Sequence, residues 1–436
     1  MLLTNTLKPI LGIITAGSIL SACNTLTNNS DAESIADVSS RSVIDTYIQI
    51  AESNYQDSLS TAQALNNAVD TFLNAPSEET LTQTKQAWIA ARVPYQQTEV
   101  YRFGNETVDN WEGKVNAWPL DEGLIDYVDV NYGEESDENP FYNANIIANP
   151  APLIGGKKVD ATSITKSFLS ETLHEIDEVE SNVATGYHVI EFLLWGQDLN
   201  GTNPGAGNRP ATDYSLSKCT GENCERRRDY LKSATLLLVD DLQDMANSWK
   251  EEGKSRRSLQ EKADKAGLET ILTGMGSLAY GELAGERIKL GLMLHDPEEE
   301  HDCFSDNTHW SHFYDAKGIK NIYLGEYKTT QGNVLTGSSL SDLVKQVQPE
   351  LDVEMRAKLS ATESAMQVMV DQAKEGNTFD VLIGEDNSNG NQIIKDIVNA
   401  LVDQAKTTEQ IIHILALSDV ELEGSDSLDN PKSVIE

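Results

Sequence analysis

A histidine and a glutamate three residues apart sit inside a strongly apolar stretch. It reads Gly186-Tyr187-His188-Val189-Ile190-Glu191-Phe192-Leu193-Leu194-Trp195. On a helix, residues three apart face the same side. Burying an imidazole and a carboxylate there is costly unless both find partners. A metal ion is one partner that satisfies both, and histidine plus carboxylate suits zinc or iron. The other outcome for a bare H-x-x-E is a buried His–Glu pair, or a histidine bonded to backbone, because the motif is short and frequent.

Hydrolysis makes further demands. A catalytic zinc keeps three protein ligands plus water, with a separate general base. The helical protease motif H-E-x-x-H supplies two histidines, and its inverse places a second histidine directly after the glutamate. Here Phe192 follows Glu191. If the protein is a peptidase, Glu191 is the catalytic candidate, but as a ligand it could not also be a free base. His174 lies fourteen residues upstream on a different predicted helix.

Helices must position these groups. Ile44, Tyr47, Ile48, Ala51, Tyr55, Leu59, Ala62, Leu65, Val69 and Phe72 recur at three- and four-residue steps, a single apolar stripe. Asn74-Ala75-Pro76 ends that helix, and a second starts near Ser77 with a kink expected at Pro94. Residues 104–163 read as irregular, with Trp111, Trp118 and several tyrosines arguing for order. Helical patterns return at 164–179, 184–195, 225–251, 264–294, 339–375 and 388–417. Gly267, Gly274, Gly276, Gly281 and Gly285 in the 264–294 helix imply close approach of another backbone or a ligand. The acidic tail from Glu421 is expected to fray. Strand signals are few, so the fold class is all-α, built of bundles with long ordered loops.

The N-terminus reads as an export signal. Lys8 precedes an apolar run from Pro9 to Leu20, shorter than the ~20 residues of a spanning helix. The run ends in Leu20-Ser21-Ala22-Cys23, similar to the bacterial lipobox, whose cysteine is lipidated. An ordinary signal peptide with a chance cysteine is the alternative. Residues 1–22 would then be the signal peptide and 23–40 a flexible polar tether. Asn24 after the cysteine resembles proteins sorted to the outer membrane, which implies a body facing the periplasm. A formal charge of −37 argues against nucleic-acid binding. Cys219 and Cys224 flank a turn-like spacer and are expected to form a disulfide, with zinc binding as the alternative. Cys303 is then an unpaired, buried thiol.

Four stretches together resemble the imelysin family, in the branch called iron-regulated protein A. They are the Gly186–Asp198 segment with its G-x-H-x-x-E motif, Arg92–Gly104, Asn116–Tyr127, and Glu300–His309 with Gly318–Gly325. Arg226 and Arg227 after Cys224 also fit that branch. The resemblance implies two helical-bundle domains, residues 41–220 with the motif and 221–436, with a site where they meet. It implies that Glu99 shares a metal site with His188 and Glu191, with Asp121 and Asp198 as further ligand candidates. Gly186, Tyr95, Arg102, Trp118, Glu282, Glu286 and Arg287 are expected to line it. The alternative for Glu282, Glu286 and Arg287 is interhelical salt bridging. Asp306, Asn307 and His309 are expected to organise their loop.

The function so implied is an envelope-anchored iron-binding accessory of iron acquisition. Its partners would be a metal ion, the membrane through lipid alone, and an envelope iron-uptake protein. One alternative is a zinc metallopeptidase using His188 and Glu191. Another is a haem-binding or partner-docking module; covalent c-type haem is excluded by the lack of Cys-x-x-Cys-His.

Overall fold

The first helix, α1 (Ser40–Asn74), starts where Ser39 and Ser42 cap each other reciprocally. The computed structural model describes residues 38–133, 139–154 and 156–435. The expected signal peptide, Cys23 and most of the expected tether lie outside them. The expected stripe of α1 is buried, from Ile44 to Phe72. Ser77 caps α2 (Glu78–Gln96) in the same reciprocal way. This helix runs only two residues past Pro94 before a single 3-10 turn, Glu99–Tyr101.

The next helix, α3 (Glu106–Asn116), corrects the reading of 104–163 as irregular throughout. Its stripe of Val108, Trp111 and Val115 spans barely two turns and contains Gly113, too little for periodicity to register. Every residue of α4 (Gly186–Trp195) is buried, so it threads the interior as a continuous apolar run. A long helix, α5 (Cys224–Trp249), packs on α1 and α4. It therefore associates with the elements before residue 220, where a domain boundary was expected.

The later elements form a second group. Here α6 (Asp264–Ser277) continues into a wide-turn helical segment, Leu278–Lys289. It packs with α7 (Thr308–Leu324) and α9 (Ser388–Ile414), and α8 (Pro349–Lys374) packs on both of those. Between α7 and α8 lies a small antiparallel hairpin, β1 (Glu326–Lys328) with β2 (Val334–Thr336). The groups are joined, since α7 packs on α2 and α6 on α1, and from Val38 onward the chain forms one unit.

Glycines in the 264–294 region admit backbone, as expected. A Cβ at Gly274 would lie 2.3 Å from the Val100 carbonyl oxygen, and one at Gly281 2.6 Å from that of Glu423. The second contact corrects the expectation of a frayed tail. Residues 422–428 fill the groove that the glycines open, and the Ser427 hydroxyl donates to the Gly285 carbonyl at 2.9 Å.

Side chains order the long loops. Arg226 donates to the carbonyls of Ile146, Ile147, Ala161 and Thr162, and Arg227 clasps Asp126. Cys219 and Cys224 are bonded, and Arg227 caps carbonyls within the loop they close. Cys303 is unpaired.

Candidate metal centre

Gly186 opens α4 with φ +89°, a conformation side chains rarely adopt. A Cβ there would also sit 2.5 Å from the Val115 carbonyl oxygen, so the glycine lets α4 start hard against α3. One turn on, His188 and Glu191 are 1% and 0% exposed. Nδ1 of His188 lies 3.1 Å from a Glu191 oxygen, and the other Glu191 oxygen accepts the Ser305 N–H at 2.9 Å.

Their neighbours come from the loop ahead of α7. The rings of His188 and His301 are 4.7 Å apart, centre to centre. Asp302 places an oxygen 3.8 Å from Nδ1 of His188 and 3.3 Å from Nδ1 of His301. His188, His301 and Asp302 each offer a donor atom within 4.8 Å of the others. Asp302 is fixed by Arg92 at 2.9 Å, by the Asn307 amide at 3.0 Å and by the Ser311 hydroxyl. Arg92 is anchored in turn by donating to the side-chain Oδ1 of Asn116 at 2.6 Å.

Protonation favours donors over charges here. Burial, reinforced by Arg92, holds the His188 imidazole well below its usual range. Burial and Arg287 do the same to His301. Burial raises Glu191 well above the carboxylate range, with Asp302 adding repulsion. At Asp302 burial is the largest effect, but Arg92, His188 and the Ser311 and Asn307 hydrogen bonds together outweigh it, and its pKa falls. Neutral imidazoles beside an ionised carboxylate are the state in which metal ligands bind.

Nε2 of His188 is buried without a hydrogen-bond partner. With Glu191 ionised, Nδ1–H donates to it and the Nε2 lone pair is free, the usual arrangement behind a metal-bound histidine. Two histidines and one carboxylate suit zinc or ferrous iron, so the residues fit the expected ion. Glu191 fits best as the group that orients His188, rather than as a member of the converging set.

His301 and Asp302 were within a stretch that carried the family resemblance but were not assigned to the site. Their adjacency was the available signal. Which of the six other histidines meets His188 is decided by tertiary packing.

Glu99 is placed differently from expectation, outside the converging donor set. It pairs with Arg287 at 2.8 Å, and Arg287 also reaches Glu282 at 2.7 Å and Asp315 at 3.4 Å. Arg102 holds Glu282 and Asp109. The salt bridges allowed for Glu282 and Arg287 are therefore present, and the same residues line a cleft. This cleft, about 640 Å³, is walled by Arg102, Trp118, Glu282, Glu286, Arg287 and His301. Trp118 stacks on His301 at 5.5 Å, so His301 faces both the cleft and the buried donors. Tyr95 is instead buried against Tyr187. Asp121 staples its loop by accepting from Asn139 and Ser181. Asn307 organises its loop around Asp302, whereas Asp198 and Asp306 meet elsewhere, with Asp380.

His312, beside His301, gives a test of this electrostatic setting. Burial, with Arg287 adding to it, pushes its pKa down to about 3 from the ordinary 6.5. Between these values the unfolded chain binds a proton that the folded chain refuses, so stability falls as pH falls. At pH 4.5 the cost is about 2–3 kcal/mol. Chemical unfolding at pH 7 and 4.5 should show wild type losing that much more stability than His312→Leu. Equal losses would refute the assignment.

An all-helical fold with a buried histidine–carboxylate centre beside a charged cleft defines the class. The imelysin family model matches residues 51–408, and the chain belongs to the imelysin family. It is similar to iron-regulated protein A of Synechococcus elongatus, with 28% identity over 114 residues. That match covers 26% of this chain and 29% of the relative, under a third of its length. The fold resembles a protein from Parabacteroides distasonis described as an iron-regulated protein A precursor (TM-score 0.62, 20% identity, 86% of this chain and 94% of that one). It also resembles an imelysin-like protein of Psychrobacter arcticum (TM-score 0.57, 15% identity, 87% and 98%).

Proposed function

We propose that this protein binds iron at His188, His301 and Asp302, with Glu191 orienting His188, as an accessory of iron acquisition. The observation that carries the reading is the two-histidine, one-carboxylate set with an unpartnered Nε2 on His188. Similarity to a protein named for iron regulation supports iron over other ions. The cleft beside His301 supplies an approach, and its carboxylates Glu112, Glu282 and Glu286 favour a cation. Anaerobic titration of the purified, chelator-stripped protein with ferrous iron tests this. One equivalent taken up tightly is expected; no uptake refutes it.

A zinc peptidase is the second reading, favoured by the same donor set, because two histidines and a carboxylate also occur in hydrolytic zinc sites. Cleavage of an unfolded polypeptide by the zinc-loaded protein, stopped by a chelator and absent from His188→Ala, would establish it in place of the first.

The Leu20–Cys23 segment supports export and a lipid anchor on Cys23, in the outer membrane and facing the periplasm. That anchor would hold the metal-handling body near the envelope protein that takes iron inward. Cys23→Ser is expected to move the protein from the membrane to the soluble fraction, scored by fractionation. An unchanged distribution would rule the anchor out.

A further inference from the structure

A second group of carboxylates lies apart from the His188 donor set. Asp198 comes from the loop after α4, Asp306 from the residue pair just before α7, and Asp380 from the short helix Phe379–Ile383. An oxygen from each lies within 4.8 Å of the other two. Asp380 is 0% exposed, and neither of its carboxylate oxygens has a hydrogen-bond partner. One oxygen of buried Asp306 is likewise unpartnered.

Glu300 supplies an independent sign. It is 1% exposed, has an unpartnered carboxylate oxygen, and feels Asp380 and Asp306 as its main charged neighbours. Among the described residues, no ion pair uses any of these four carboxylates. Asp198 does accept from the Asn200 backbone and side-chain amides, which fix its orientation. Beside it is a cavity of about 10 Å³ bounded by Asp198, Glu298 and Glu300 among others, the room of roughly one water.

Buried carboxylate oxygens without donors or cations are costly, and three carboxylates this close repel. The donor set is all oxygen, without imidazole or thiolate. That chemistry selects a hard cation. Calcium takes six to eight oxygens in flexible geometry, whereas magnesium demands near-ideal octahedral order and dehydrates reluctantly, so carboxylates fixed by three separate segments suit calcium better.

We propose that Asp198, Asp306 and Asp380 bind a calcium ion, with Glu300 adding negative charge beside it. The ion would tie the loop after α4 to the 379–383 helix and to the segment from Glu300 to Asp306. That segment also carries His301 and Asp302, so calcium would brace the loop on which the first centre depends. The inference stands whether or not iron binds at His188.

Calorimetric titration of the purified, chelator-stripped protein with calcium chloride, with thermal unfolding alongside, tests it. One site of micromolar or tighter affinity and a midpoint raised by about 3–6 °C are expected. Asp380→Asn and Asp306→Asn should each weaken binding by about 100-fold or more, while His188→Ala leaves it unchanged. Asp380→Asn also removes repulsion, so its calcium-free midpoint should equal or exceed that of wild type. That separates loss of the site from loss of the fold. No response of wild type to millimolar calcium would overturn the proposal. So would equal binding by both asparagine variants, which would assign uptake to the general acidity of the chain. Displacement of the calcium by equimolar ferrous iron, lost in the same variants, would overturn the choice of ion.

Discussion

His188→Ala is expected to lower ferrous iron affinity by more than 100-fold while leaving the helical circular dichroism spectrum intact. The variant removes one of three converging donors, the one whose Nε2 has no competing partner. His301→Ala should do the same, because its ring stands 4.7 Å from that of His188. Glu191→Gln should be milder, about 10- to 100-fold, because Glu191 acts through Nδ1 of His188. That ranking separates this geometry from one in which Glu191 is itself a ligand. Binding should also tighten as pH rises. The folded-state pKa of Glu191 is raised, so a cation must displace its proton on arrival. Iron affinity unchanged in His188→Ala would eliminate this centre, and affinity falling as pH rises would remove Glu191 from it.

Arg92→Met is expected to destabilise the fold by about 3–5 kcal/mol. Arg92 is 1% exposed, pairs with Asp302 and bonds Asn116. Its guanidinium also lies 5.0 Å from the Tyr187 ring. Methionine fills much of the volume but leaves Asp302 as a buried charge without its cation, the change that makes breaking a buried pair costly. Replacing both partners differs in principle, because an apolar pair of similar volume carries no orphaned charge. The double variant Arg92→Met/Asp302→Leu should therefore recover at least half of the loss, although it cannot bind iron. Chemical unfolding of the three proteins measures this. A single variant within 1 kcal/mol of wild type would mean that Arg92 is not the counter-ion of Asp302.

The sequence was most informative where one periodicity ran long. The stripe from Ile44 to Phe72 defined α1, and the Gly186–Trp195 run defined α4 with its paired His188 and Glu191. Short elements escaped, since α3 offers three apolar contacts over two turns. Two of the three donors escaped as well. His301 and Asp302 occupy a loop, whose local pattern says nothing of which helix it will meet. Glu99 was drawn toward the centre by its position in the family pattern, but Arg287, 188 residues away, holds it. The tail from Glu421 read as frayed because its acidity is local, whereas the glycine groove that receives it lies more than 130 residues upstream. In each case the missing information was a long-range contact.

The Ser305 backbone amide and the Glu191 carboxylate that it meets are 114 residues apart in sequence. Neither the α4 segment nor the 300–307 loop holds a complete donor set, so a peptide cut from either would coordinate weakly. Occupancy therefore reports the integrity of the whole body. On the proposed reading, an ion bound there would act as a rivet between distant stretches of chain, and its off-rate would be tied to how often those stretches part. Anything that levers the 300–307 loop away from α4 withdraws two donors at once, making release abrupt rather than graded.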